Sequence, residues 1–128
     1  MKKVLIVEDS YAYYSRYISD LEDLEGTVRM LLARGLTDAW RLFSENTDVD
    51  AIVMDACVHS QEPDTMPLVK RIREAGYSGH IIANSNSSRN NKVLLEVGCN
   101  IEFRGDKIEM VDQLLKLIDV VKPTRGRP

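Results

Sequence analysis

The sequence has little of what secreted, membrane-spanning or nucleic-acid-binding proteins depend on. Its 128 residues include two cysteines, Cys57 and Cys99, too few for the disulfide framework of a small secreted domain. No apolar run is long enough to cross a bilayer, and the run after Met1 is too short for a signal peptide. The formal net charge of −3 indicates no basic surface for nucleic acid. We therefore expect a cytoplasmic protein with reduced thiols and no nucleic-acid or membrane partner.

What the sequence does contain is an alternation of short apolar runs and amphipathic segments. Its apolar fraction of 44% and charged fraction of 29% are ordinary for a globular domain. The predicted strands are Lys3–Val7, Thr27–Ala33, Ala51–Met54, His80–Ala83 and Asn100–Phe103. The predicted helices are Ser10–Leu24, a segment through Ala39–Phe43 capped by Thr37, Met66–Ala75, Lys92–Val97 and Ile108–Val121. This order predicts an α/β fold, a doubly wound five-stranded parallel sheet with helices on both faces, in one domain over residues 1–121. Residues 122–128 form a short basic tail that we expect to fray.

Acidic residues follow two of the predicted strands. Glu8 and Asp9 come after the first strand and Asp55 after the third. Ligands of open parallel sheets bind beyond the carboxyl ends of the strands, so these side chains should meet at one edge. Three carboxylates there would repel one another unless a hard cation such as Mg²⁺ compensates them. A carboxylate can also act as the nucleophile in phosphoryl transfer.

Polar and cationic residues follow the last two strands. The hydroxyl of Ser85 and the cation of Lys107 or Arg104 could bind phosphoryl oxygens. Each residue also has an ordinary structural interpretation: Asp9 as a helix cap, Asp55 as an acid in a turn, and Ser85 as part of a polar loop. Their convergence on one sheet edge favours the functional interpretation.

Taken together, these motifs resemble the receiver domain of response regulators in two-component signalling. The resemblance is to the single-domain, chemotaxis-regulator type and spans residues 3–121. Its motifs are Val4–Ser10, Ala51–Asp55, Ile81–Ser85 and Val97–Cys99. The resemblance implies the flavodoxin-like strand order 2-1-3-4-5.

The resemblance also implies a role for each matching position. Asp55 corresponds to the phosphoacceptor and Ser85 to the switch hydroxyl. Glu8, Asp9, Asp55 and the backbone carbonyl of Cys57 correspond to the Mg²⁺ ligands. The phosphoryl donor would be a sensor histidine kinase or a phosphotransfer protein, and the output would be a contact with a downstream protein. The resemblance therefore implies a phosphoprotein of a phosphorelay that is not an enzyme, apart from any self-dephosphorylation.

The last third of the sequence departs from the receiver pattern. The usual Lys-Pro pair after the fifth strand is absent. Counting from Gly98 puts the lysine position at Gly105, whereas counting from Asp55 puts it nearer Lys107. We assign the phosphoryl-binding cation to Lys107, with Arg104 as the runner-up.

Two further positions differ from common receivers. Glu102 stands in the place of the aromatic switch residue, and Asn86 follows Ser85 where a small residue is common. These departures leave open an alternative function, a phosphorylation-independent pseudo-receiver that acts as an interaction module and binds Mg²⁺ weakly or not at all.

Other hypotheses have less support. A hydrolase is disfavoured because no Gly-x-Ser-x-Gly elbow is present, and the pair Cys57 and His59 is poor evidence for a soft-metal site. Homodimerisation through the fourth and fifth helices rests on family analogy alone. The first helix carries a group of tyrosines that either form a contact surface or pack on the sheet: Tyr11, Tyr13, Tyr14 and Tyr17.

Overall fold

The computed structural model describes residues 1–24, 26–58 and 60–122. The strands are β1 (Lys2–Val7), β2 (Val28–Ala33), β3 (Ala51–Met54), β4 (His80–Ala83) and β5 (Ile101–Glu102). The helices are α1 (Tyr11–Leu21), α2 (Leu36–Glu45), α3 (Met66–Glu74), α4 (Ser88–Val97) and α5 (Met110–Leu117), with 3-10 turns at Glu22–Leu24 and Lys107–Glu109. All strand pairs are parallel, in the order β2-β1-β3-β4-β5. The expected fold class and strand order are therefore confirmed, while His59 and 123–128 of the predicted tail lie outside the described residues.

The sheet is covered on both faces, and the residues of β1 show how its side chains divide. Leu5 and Val7 pack with the buried residues of α2, α3 and α4. Val4 and Ile6 pack instead with those of α1 and α5. A strand that is buried on both faces must be apolar at every position, which explains the continuous run in the sequence.

Local hydrogen bonds explain where the helix starts differ from the prediction. The Ser87 side chain accepts a hydrogen bond from the backbone N of Asn90 at 3.2 Å, so α4 begins at Ser88 rather than near Lys92. In α2 the cap is Gly35, whose carbonyl accepts from the backbone N of Ala39, and the predicted cap Thr37 lies inside the first turn.

The last two elements are shorter than predicted. The Asn100 side chain accepts from the backbone N of Ile81 at 2.8 Å, taking the place of a ladder bond, and β5 begins only at Ile101. Helix α5 stops at Leu117 because Asp119 adopts a left-handed φ of 63°, and the Val120 N–H returns to the Leu115 carbonyl in a Schellman-type cap.

The two cysteines match their predicted state, since both thiols are free, Cys57 half-buried and Cys99 buried. Burial raises the pKa of Cys99 to about 12, so this thiol stays protonated and unreactive near neutral pH. In the described part of the chain, no helix combines the length and the apolar character that spanning a bilayer requires.

Arg73 ties together the end of the molecule opposite the acidic residues. Its Nε donates to the carbonyl of Gly98 at 2.8 Å, and its Nη1 donates to those of Tyr77 (2.9 Å) and Gly79 (2.8 Å). These bonds join the last turn of α3, the turn before β4 and the end of α4. A guanidinium can serve three carbonyls at once because its donors are fixed in a plane.

We predict that Arg73→Ala lowers the free energy of unfolding by on the order of 2 kcal/mol, since three partly buried carbonyls lose a charged donor. Arg73→Lys should recover little of the lost stability, because a single ammonium group cannot reach three carbonyls in the way that the planar guanidinium does. Urea unfolding measures both, with exposed Arg89→Ala as the control. Equal stability of Arg73→Ala and the control would contradict this role.

Candidate functional site

Backbone ladder bonds fix the acidic residues at the point where the strand order reverses. The backbone N of Glu8 donates to the carbonyl of Ala33 at 2.9 Å, and that of Asp55 donates to Val7 at 3.0 Å. Each acid therefore stands one residue beyond its strand but is still held by the neighbouring strand. Because β1 lies between β2 and β3, these side chains emerge at the switch point, where ligands of such sheets bind.

The three acids form one compact cluster. Glu8, Asp9 and Asp55 each offer a carboxylate oxygen, and these oxygens all lie within 4.8 Å of one another. Glu8 is 1% exposed and Asp55 is 8% exposed, while Asp9 is half-buried. The carboxylate of Glu8 is buried, and its Oε1 is the oxygen that faces the ammonium of Lys107. A hard divalent cation fits such an all-oxygen donor set.

Lys107 supplies the positive charge of this cluster. Its Nζ lies 2.5 Å from Glu8 Oε1 and 3.5 Å from Asp55 Oδ2, and the side chain is 6% exposed. It reaches the cluster from the 3-10 turn before α5, where Asp106 Oδ1 accepts from the Ile108 backbone N at 3.1 Å. The residue that counting from Asp55 selected is thus the one in contact with Asp55.

The burial of this cluster changes the titration of Glu8. Desolvation raises its pKa from 4.5 to about 7, repulsion from Asp55 adds to the shift, and the ammonium of Lys107 opposes it. Below that pH the protonated Glu8 can share its proton with the neighbouring carboxylate. Near neutral pH the cluster carries more negative charge than one lysine balances.

Ser85 lies beyond β4 in a loop that a neighbouring amide holds from both sides. Its Oγ accepts a hydrogen bond from the backbone N of Ser87 at 3.1 Å. The buried side chain of Asn91 accepts from the Ser85 backbone N at 2.9 Å and donates to its carbonyl at 3.0 Å. The two bonds with Asn91 fix the backbone of Ser85, while its side chain makes only the local bond to Ser87 among the contacts described.

The remaining predicted residues, Arg104 and Cys57, make contacts of other kinds. Arg104 is exposed, and its backbone pairs with the side chain of Gln113. It lines, with Ser85, a groove of about 370 Å³. The Cys57 thiol lies 3.8 Å from Asn90 Nδ2, and burial, with a smaller effect of Asp55, raises its pKa. The structure thus brings together Glu8, Asp9, Asp55 and Lys107, with Ser85 at the adjacent loop and Arg104 outside.

Thr65 supports the site and was missed in the sequence. It is fully buried, and its Oγ1 lies 2.7 Å from the carbonyl of Asp55 and 3.1 Å from that of Ala56. A threonine directly before a helix with proline in its first turn indicates an N-cap, but no cap bond forms here. The hydroxyl instead holds the loop that follows Asp55, a contact across ten residues that local patterns do not predict.

Comparison with solved structures identifies the fold. The receiver domain of HemR from Leptospira biflexa superposes with a TM-score of 0.73 at 17% identity, covering 97% of this chain and 99% of that one. A CheY-like response regulator receiver domain from Methylobacillus flagellatus gives 0.70 at 22% identity, covering 92% and 98%. A receiver domain protein from Clostridium thermocellum gives 0.72 at 17% identity, covering 93% and 95%. The chain has the receiver fold.

Among the comparisons with known proteins, only the solved structures match this chain. No protein-family model matches the sequence, and neither does any curated protein. The identities of 17 to 22% fall in the range where backbone geometry persists and residue identities do not. The similar structures therefore carry the fold, and the chemistry of the acidic cluster rests on the residues of this chain.

The pKa of Glu8 predicts how stability depends on pH in the absence of divalent metal. A carboxyl group with a raised folded-state pKa contributes stability below its unfolded pKa, and the contribution is lost as pH rises through the folded value. The window here is pH 4.5 to about 7. Across it, wild type should lose on the order of 1 to 3 kcal/mol relative to Glu8→Gln.

Urea unfolding at a series of pH values with chelator checks this, with exposed Glu74→Gln as the matched control. The control should run parallel to wild type. Parallel curves for wild type and Glu8→Gln would show that Glu8 is not titrating in this range.

Proposed function

We propose that this chain is a receiver that accepts a phosphoryl group on Asp55 and signals through protein–protein contacts. The carrying observation is that Glu8, Asp9, Asp55 and Lys107 converge at the switch point of a receiver fold. The donor would be a phosphohistidine on a sensor histidine kinase or a phosphotransfer protein, and the setting the cytoplasm. The receiver fold is that of a signalling domain, and self-dephosphorylation would return Asp55 to its unmodified state.

Asp55 is the nucleophile in this proposal. One of its carboxylate oxygens attacks phosphorus, the P–N bond to the donor histidine breaks, and the departing imidazole keeps the electron pair. The position of Asp55 is fixed by the ladder bond to Val7 and by the contacts of Thr65 with the following backbone. A nucleophile held in one place avoids an entropic cost at the moment of transfer.

Glu8, Asp9 and Asp55 would hold Mg²⁺, with the backbone carbonyl of Cys57 completing the protein ligands. The fit rests on their clustered carboxylate oxygens, which all lie within 4.8 Å of one another. The bound ion would screen the charges of the carboxylates and of the incoming phosphoryl group.

Lys107 and Ser85 would bind the transferred group. The Lys107 ammonium already lies 3.5 Å from Asp55 Oδ2 and can pair with a phosphoryl oxygen there. The Ser85 hydroxyl would exchange its local bond with Ser87 for one to the phosphoryl group. That movement would repack the face formed by α4 and β5, which is how a local charge becomes a change in partner affinity.

One observation favours the alternative, a pseudo-receiver that needs no phosphorylation. Lys107 lies closer to Glu8 than to Asp55, so it already neutralises part of the acidic cluster. In that case the lysine would replace the divalent cation, and Asp55 would remain unmodified.

Phosphorylation of Asp55 distinguishes the two functions. Wild type incubated with acetyl phosphate and Mg²⁺ should gain the mass of one phosphoryl group, and Asp55→Asn should gain none, because an amide is not a nucleophile for this reaction. Asp112→Asn serves as the matched control, since this carboxylate is exposed on α5 and paired with Lys122. It should be modified like wild type. No modification of wild type under conditions that label a reference receiver would support the pseudo-receiver instead.

A further inference from the structure

An exposed side chain beside Ser85 reaches across the site. Asn86 Nδ2 donates to the hydroxyl of Tyr13 at 2.8 Å, and Asn86 Oδ1 accepts from the backbone N of Lys107 at 3.2 Å. The Lys107 ammonium in turn lies 4.5 Å from the centre of the Tyr13 ring, in cation–π contact. We call this closed set of contacts the Tyr13–Asn86–Lys107 bridge.

The bridge joins three segments around the acidic cluster. Tyr13 belongs to α1, Asn86 to the loop between β4 and α4, and Lys107 to the 3-10 turn before α5. Lys107 links the bridge to Asp55 at 3.5 Å, and both residues are buried, Asp55 at 8% and Lys107 at 6% exposed. The carboxylate and the ammonium that would meet a phosphoryl group are therefore both little exposed to solvent.

Ordinary core packing does not account for the bridge. Tyr13 does stack on the buried Tyr17, with ring centroids 6.3 Å apart, and that contact would hold its ring in place. It does not require the amide–phenol bond, because Asn86 is exposed and could be solvated instead. The exposed Asn86 side chain instead makes two hydrogen bonds to residues that are distant in the sequence, Tyr13 and Lys107. These two bonds hold the amide in one orientation.

We propose that the Tyr13–Asn86–Lys107 bridge is an access gate over Asp55, which must open before a phosphoryl group can enter. This inference rests on the proposed function. Asn86 adjoins Ser85, so the turn of Ser85 toward a bound phosphoryl group would pull Asn86 away from Tyr13. The bridge would therefore be closed in the unmodified protein and open in the phosphorylated one.

Two substitutions open the gate without touching the carboxylates. Tyr13→Phe removes only the phenol oxygen and keeps the ring beside Lys107, and Asn86→Ala removes both amide bonds. Tyr14→Phe is the matched control, because this half-buried tyrosine on the same helix contacts Arg34 and lies outside the bridge. None of these substitutions changes Lys107 or its ion-pair partner Glu8.

The first readout needs no phosphoryl chemistry. The rate at which an amine-acylating reagent modifies Lys107, followed by peptide mass spectrometry, reports how often the bridge opens. Losing one or two hydrogen bonds should raise that rate by roughly threefold to tenfold in both gate variants and leave Tyr14→Phe unchanged. An unchanged rate in folded Tyr13→Phe would overturn the proposal, and this conservative variant decides alone if Asn86→Ala does not fold.

The second readout is the rate of phosphorylation by acetyl phosphate with Mg²⁺. It should rise in Tyr13→Phe and Asn86→Ala by about the same factor as the acylation rate, and stay at the wild-type value in Tyr14→Phe. Faster acylation with an unchanged phosphorylation rate would also overturn the gate, since opening would then not precede transfer. If wild type accepts no phosphoryl group at all, the proposed function fails, and the acylation rates still decide whether the bridge closes the site.

Discussion

The arrangement of this site depends on one ammonium group placed between two buried carboxylates. Lys107 Nζ contacts Glu8 at 2.5 Å and Asp55 at 3.5 Å, and all three residues are buried. Burying an unpaired charge is far more costly than burying a paired one, so neither acid could stand there ionised without compensation. The single lysine offsets only part of the cost of burying the charge of Glu8. The pKa of Glu8 therefore stays raised by desolvation and by repulsion from Asp55.

The parallel sheet brings Glu8 and Asp55 together directly at the ends of their strands. Parallel strands end at the same edge of the sheet, and ladder bonds extend one residue past β1 and β3 to fix Glu8 and Asp55. Thr65 then secures the backbone after Asp55, and Asn91 secures that of Ser85. The backbone on both sides of the acidic edge is therefore held by hydrogen bonds, which fixes the positions of the carboxylates.

The sequence was most informative where physical requirements are local. Ala51–Met54 and His80–Ala83 are strands over their predicted lengths, because a strand buried on both faces needs an unbroken apolar run. The acids after β1 and β3 were found for the same reason, since strand ends place them at one edge. The position of the lysine was harder, because Gly105 and Lys107 were both compatible with a spacing count. In the structure Lys107 lies in the 3-10 turn after Gly105, and its ammonium contacts Glu8 and Asp55.

Contacts between distant segments were beyond prediction. The roles of Thr65, Asn91 and the Tyr13–Asn86 pair depend on distances across the folded chain, and each residue alone has an ordinary local interpretation. The tyrosines of α1 differ in the same way. Tyr17 is fully buried and cannot be part of a contact surface, whereas Tyr11 is 68% exposed. Sequence periodicity placed them on one helix but could not separate their roles.

The most direct test of the account is the binding of beryllium trifluoride, which attaches to a carboxylate oxygen in the geometry of a phosphoryl group. Fluorine NMR would follow the protein with beryllium and fluoride, in the presence and absence of Mg²⁺. The account predicts a bound fluorine resonance that requires both Mg²⁺ and the Asp55 carboxylate, and that is therefore lost in Asp55→Asn. A wild-type protein that shows no bound resonance with Mg²⁺ present, or the same resonance after Asp55→Asn, would contradict the assignment of this acidic edge as a phosphoryl site.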